Sequence, residues 1–107
     1  MDYRLKNQKD FDLVFNKGKR IYAKTLTLVF VESKELKFGI SLSKKFGKAV
    51  KRNRIKRLLR ASFRNFLKDL NKPFYIVILP KISQNYDYWE FKSDLENSLK
   101  RGKIISD

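Results

Sequence analysis

Hydrophobic residues recur along this chain with changing period, and the changes mark its elements. Phe11, Val14 and Phe15 are spaced i, i+3, i+4 and share one helical face. Asn7 with Asp10 three residues on reads as an N-cap with an acidic partner at N3. A short helix is therefore expected to run to about Lys17, where Gly18 supplies a stop. From Ile21 to Val31 the pattern alternates and is rich in β-branched residues, which predicts a strand. Leu26, Leu28 and Phe30 point one way, and Thr25, Thr27, Val29 and Val31 the other. Glu32 to Glu35 makes a turn. Leu36 to Leu42 is a second strand with Leu36, Phe38, Ile40 and Leu42 inward and Lys37, Gly39, Ser41 and Ser43 outward. The two strands are expected to pair as an antiparallel hairpin. One face of it is greasy, and the other is small, polar and partly basic, open to a ligand.

A basic turn at Phe46-Gly47-Lys48 leads into a helix from about Ala49 to Leu70. Ile55, Leu58, Leu59, Ser62, Phe63, Phe66 and Leu70 follow the helical period and form its core face. Asn53, Lys56, Arg57, Arg60 and Arg64 fall on the opposite side. At about 100° per residue, Arg52 and Arg54 leave the helix in different directions. Arg54 heads for solvent or a partner, and Arg52 leans over the start of the core face. Phe74 to Leu79 is a continuous apolar run that suits a strand covered on both faces, parallel to the Leu36–Leu42 strand through a strand–helix–strand crossover. Pro80 ends it. Asp87 with Glu90 is a second capping box, opening a last helix from Tyr88 to about Arg101 with Tyr88, Phe91, Leu95 and Leu99 inward. No repeat or low-complexity linker interrupts the 107 residues, so one domain over 1–107 is expected.

Charge changes this picture most. Twelve of the 26 Lys and Arg residues lie between Glu35 and Asp69, a stretch without one acidic residue. That third of the chain thus carries +12 of the net +15. A solvated helix face normally mixes signs, and a one-sign run repels itself. The partner implied is a polyanion, a nucleic acid before an acidic membrane surface, because no large exposed apolar helix face accompanies the charge. No stretch approaches a membrane span or a signal peptide, so a cytoplasmic protein is expected.

The chemistry that is missing narrows the function further. With no Cys and no His, disulfides, cysteine zinc sites and Ser-His or Cys-His catalysis are excluded. The 11 acidic residues are scattered: Asp10 and Asp12 diverge on a helix, and Glu35-Leu36-Lys37 sits at a turn without a second acid. No protein-borne catalytic residue and no protein metal site are therefore expected. Gly47 stands alone, so a phosphate-binding glycine loop is unsupported. Phe11 and Phe15 read first as a core pair, and alternatively as platforms on which nucleobases stack.

The stretch SKKFGKAVKRNRIKRLLR, from Ser43 to Arg60, follows the strand Phe38-Gly39-Ile40-Ser41. It resembles the signature of the bacterial ribonuclease P protein subunit, whose hallmark is Arg-Asn-Arg, here Arg52-Asn53-Arg54. Arg4-Leu5-Lys6, Asp10-Phe11, Val14-Phe15, the strand ending at Pro80 and the last helix extend the resemblance along nearly the whole chain. The resemblance implies a protein that leaves the chemistry to a catalytic RNA. Magnesium ions held mainly by that RNA and the substrate would cleave the 5′ leader from precursor tRNA. It places Arg52, Asn53 and Arg54 against the RNA subunit, with Lys44, Lys45, Lys48, Lys51, Lys56, Arg57 and Arg60 on phosphates. It implies a leader cleft between the first helix, the sheet and the long helix, with Phe11 and Phe15 as aromatic contacts and Thr27, Val29 and Ser41 facing the cleft. Some relatives carry an aromatic where Val29 stands. The partners implied are the catalytic RNA and the leader, with no membrane and no obligate protein partner. The fold implied is a single-domain α+β sandwich in α-β-β-α-β-α order, with a mainly antiparallel sheet and a left-handed βαβ crossover. Relatives add a short strand near residues 20–23. A ribosomal RNA-binding protein and a duplex-DNA binder using the 49–70 helix are the competing readings of the same charge.

Overall fold

In a computed structural model, described for residues 3–106, the elements run α1 (Gln8–Lys17), β1 (Lys19–Tyr22), β2 (Leu26–Glu32), β3 (Lys37–Ile40), α2 (Ala49–Arg64), β4 (Phe74–Pro80) and α3 (Tyr88–Arg101). The apolar run of β4 takes an inner place in a four-stranded sheet of order β1-β2-β4-β3. β4 pairs antiparallel with β2, Val77 opposite Val29, and parallel with β3, Val77 opposite Gly39. Ile76, Val77 and Ile78 are buried on alternate faces, as a strand without polar positions requires. The crossover from β3 through α2 into a parallel β4 is as the sequence predicts.

The expected hairpin is not there. β2 and β3 are separated by β4, because alternation assigns a residue to a face but not a strand to a neighbour. The single strand expected over Ile21–Val31 is two strands paired antiparallel, Tyr22 opposite Thr27. Between them the Asp94 carboxylate of α3 accepts from the Thr25 backbone N–H at 2.7 Å and from its hydroxyl. The order is thus α-β-β-β-α-β-α, with the extra strand that the resemblance implies. The second expected strand is shorter, four residues, and its edge is covered: Leu5 N–H donates to Phe38 O and Phe38 N–H to Tyr3 O.

Two layers of side chains lie on the sheet. On one face Leu26, Leu28, Phe30, Phe38, Ile76 and Ile78 meet α2 and α3 in the main core. On the other, α1 packs Val14 against Val29 and Val77, with Leu5 beside them. The alternation of β2 and β3 predicts a second face that is small, polar and open. Val77, Leu79 and Tyr75 of β4 make it apolar instead, and α1 covers its middle.

Asn7 caps α1 by accepting from Lys9 N–H at 3.0 Å. Gly18 ends that helix with φ of −75°, so it is no left-handed stop. Glycine is needed because a Cβ there would lie 2.4 Å from Val14 O and 2.9 Å from Val29 Cγ1. Helix α2 stops at Arg64 rather than Leu70, since the Asn65 side chain donates to the Ala61 and Ser62 carbonyls; Phe66 and Leu70 still pack on the core beyond that break. Asp87 caps α3 by accepting from Glu90 N–H at 3.1 Å, as expected.

The Ser98 hydroxyl is fully buried on α3 with no hydrogen-bond partner, a group whose desolvation is uncompensated. Ser98→Ala is expected to raise stability by about 1 kcal/mol, read as a higher urea midpoint with unchanged slope.

Candidate nucleic-acid interface

The basic candidates start on a short turn. Ser43 caps a single 3-10 turn, Lys44–Phe46, and Phe46 anchors it in the core while Lys44, Lys45 and Lys48 stay exposed. Gly47 then takes φ of +97°, where a side chain is strained, and turns the chain into α2. Gly47→Ala is expected to cost about 1–3 kcal/mol by forcing that conformation, read by urea denaturation. Helix α2 begins without a side-chain cap or an acidic residue in its first turn, so its positive end adds to the lysines.

Along α2 the cations divide. Lys51 and Arg54 border a small hollow with Gln84, Asn85 and Tyr86 of the loop before α3. Arg52 lies half buried, as its lean toward the core predicts, and its Nε is buried without a hydrogen bond. Asn53, Arg57, Arg60 and Arg64 line up on the other flank, around a hollow of about 390 Å³ closed by Arg4 of the N-terminal segment. Lys56 is half buried. No acidic side chain among the described residues lines that hollow, and no α2 cation makes an ion pair there. Burial, then the charges of Arg4 and Arg64, lower the Arg60 pKa from its ordinary value. Guanidiniums gathered around a hollow that no described acid lines have the donor geometry that suits phosphate. Arg4 and Arg64 belong to this hollow as well as the family-implied contacts Asn53, Arg57 and Arg60. Arg64 is readable from its place on the basic helix face, whereas Arg4 arrives through a backbone bridge to Phe38 that no local pattern announces.

The leader candidates lie on the other face of the sheet. Phe11 and Phe15 stack at 6.4 Å between centroids, both partly exposed. Phe11 rests on Gly39, where a Cβ would come within 2.7 Å of its Cζ. Arg20 of β1 lies over the Phe15 ring at 5.9 Å, a contact that the sequence pattern does not announce. Thr27 is 8% exposed and Ser41 half buried, whereas Val29 is 0% exposed beneath α1. Val29 therefore forms floor, not contact surface: no ligand reaches it while α1 stays in place. The two candidate sets thus sit on opposite faces, and the N-terminal segment joins them at the β3 edge, Arg4 facing α2 and Leu5 packing under α1.

The acid residues do not assemble. Glu35 pairs with Lys37 at 3.7 Å, and Asp12 accepts from Gln8. Among the described residues no three His, Cys, Asp or Glu side chains are placed to hold a metal ion, so these residues offer no cage for magnesium. No helix of the described residues is long and apolar enough to cross a membrane.

Comparison with known proteins identifies the family. A family model described as ribonuclease P matches residues 1–103. The ribonuclease P protein component of Listeria innocua is 39% identical, over 96% of this chain and 90% of that protein. The RNase P protein of Staphylococcus aureus superposes with a TM-score of 0.85 at 26% identity, covering 99% of this chain and 100% of that one. That of Thermotoga maritima gives 0.80 at 33% identity, covering 92% and 96%. The chain belongs to the ribonuclease P protein component family, and is thus a subunit, alongside an RNA subunit, of the endoribonuclease holoenzyme that processes tRNA.

Proposed function

We propose that this chain binds the catalytic RNA through the basic face of α2 and the Lys44–Lys48 turn, and receives the 5′ leader of precursor tRNA on the α1 side of the sheet. The observation that carries the reading is the gathering of Asn53, Arg57, Arg60 and Arg64 around one hollow with Arg4, which no acidic side chain of the described residues lines. Its guanidiniums stay close together only at an electrostatic cost, which phosphates offset on binding. The exposed Lys44, Lys45, Lys48, Lys51 and Arg54 extend the same positive surface, with Arg52 and Lys56 half buried beside them. The partly exposed, stacked Phe11–Phe15 pair supports a single-stranded ligand on the other face, with Thr27 and Ser41 at its border.

Magnesium is held by the RNA subunit and the substrate in this reading, and cleavage of the leader phosphodiester is their chemistry. The protein's residues bind and orient: cations draw RNA strands together, and aromatic rings hold unpaired bases. The assembly works in the cytoplasm, away from membranes, without a further obligate protein partner.

Reconstitution is the test. The protein alone is expected to leave precursor tRNA intact. With its cognate RNA it is expected to give cleavage at the mature 5′ end at a lower magnesium concentration than the RNA alone requires. No change in the magnesium requirement would sink the reading. Capture of ribosomal subunits, or stronger binding of duplex DNA than of precursor tRNA at matched salt, would favour its competitors.

A further inference from the structure

Strand β1 carries a feature that the leader reading leaves unused. No acidic residue lies between Asp12 and Glu32, whereas Lys17, Lys19, Arg20 and Lys24 are basic. This second acid-free stretch is hidden by the modest charge of the remaining chain. It holds an exposed aromatic, Tyr22, at 62% exposure. Tyr22 stands directly opposite Thr27 and Arg20 directly opposite Val29, so both project from the α1 face of the sheet. Between them Ile21 points the other way, into the main core.

One cation shares the face of the Tyr22 ring: Arg20, two residues before it, which also reaches the Phe15 ring. Arg101 of α3 holds the strand itself, donating from Nη2 to the Tyr22 carbonyl at 3.1 Å, and Lys24 borders a hollow with Asp87, Glu90 and Asp94. The acids that the fold brings to this turn line that hollow, and Asp94 also accepts from Thr25. An exposed aromatic ring beside a cation is the pairing by which proteins hold single strands, bases on rings and phosphates on cations. Residues two apart on a strand are separated by about 6.6 Å. Arg20 and Tyr22 therefore continue a track that starts at Phe11 and Phe15. Val29 is aliphatic and fully buried, so β2 offers no ring beside Arg20.

We infer that Tyr22, with Arg20 beside it on the same face, forms a stacking subsite for one unpaired RNA base on edge strand β1, beyond the Phe11–Phe15 platform. It rests on the leader reading above, and its occupant is a leader nucleotide further from the cleavage point than those on the two phenylalanines. The base stacks on the exposed ring of Tyr22, and Arg20 meets the adjoining phosphate.

The test is equilibrium binding of precursor tRNA to the reconstituted holoenzyme, with 5′ leaders of stepped length, under conditions that block cleavage. Tyr22→Ala is expected to weaken binding about tenfold for leaders long enough to reach β1, a moderate value for one base stack, and to leave the shortest leaders unchanged. Tyr22→Phe keeps the ring and is expected to bind as the parent does. Thermal midpoint and RNA-subunit affinity are expected to be unaltered in both variants, because the side chain is exposed. A loss equal at all leader lengths, or no loss while Phe15→Ala shows a leader-dependent one, overturns the subsite and leaves the leader reading standing. Silence of both Phe15→Ala and Tyr22→Ala at every length removes the leader reading together with the subsite.

Discussion

The triple variant Arg57→Ala/Arg60→Ala/Arg64→Ala is expected to bind the RNA subunit about 10²–10³-fold more weakly than the parent, at about 1 kcal/mol or a little more for each charge-assisted hydrogen bond to phosphate that the truncations remove. The three guanidiniums share one hollow with Arg4 and Asn53, so their removal empties a site instead of thinning a surface. The dependence of affinity on salt is expected to become shallower by about two to three in log–log slope, because three fewer phosphates release counterions. A uniform loss of affinity with unchanged slope would show that these residues do not touch phosphate.

The free protein should respond to the same substitutions in the opposite direction. Burial and the charges of Arg4 and Arg64 both oppose the protonated state of Arg60. Removing like charges relieves repulsion in a hollow that no described acid lines. The triple variant is therefore expected to unfold at a higher temperature than the parent in low salt, with the difference shrinking as salt is added. A stability gain together with a binding loss separates a functional cluster from a structural one, whose truncation lowers both. Polyvalent anions should, for the same reason, raise the thermal midpoint of the parent more than that of the triple variant.

The faces of this fold are legible in the sequence, and its neighbours are not. Parity correctly separates Leu26, Leu28 and Phe30 from Thr27 and Val29, because a strand places successive side chains on opposite sides whatever it pairs with. It does not show that β4 inserts between β2 and β3, since pairing is decided by which apolar run must be covered twice. Caps are readable at Asn7 and Asp87, where a short polar side chain meets the start of a helical pattern. The end of α2 is not, because the apolar period continues through Phe66 and Leu70 while the Asn65 side chain takes the last carbonyls. The same limits apply to the site. The helical period places Asn53, Arg57, Arg60 and Arg64 on one flank. Arg4 and Arg20 join the two sets through backbone pairing, a long-range outcome that no local window carries. Val29 shows the converse: its parity is right, but the packing of α1 over it removes it from the surface.

Phe63→Ala is expected to cost about 3–5 kcal/mol, which takes most of the stability of a domain this small. Phe63 is fully buried on α2, its ring 4.4 Å from that of Phe38 on β3. That contact ties the basic helix to the sheet. Truncation leaves a cavity the size of a ring, and nothing in the α2–β3 interface is exposed enough to collapse into it without loss of packing. With so little stability left, the variant is expected to be partly unfolded in low-salt buffer, where the cations of α2 repel one another unscreened, with a reduced near-ultraviolet signal. It keeps every residue of the Arg4–Arg64 hollow, however. The cognate RNA binds only the folded form, so a concentration of about 100 times the dissociation constant returns about 2.7 kcal/mol of apparent stability. Phe63→Ala should therefore refold when the RNA subunit is added, followed by far-ultraviolet circular dichroism at matched ionic strength. Phe63→Ala combined with the three arginine substitutions should show no such response. The pair of results locates affinity in the charges of α2 and stability in its opposite face. If the RNA fails to refold Phe63→Ala while still binding the parent tightly, α2 does more than present charge, and the division between its two faces is wrong.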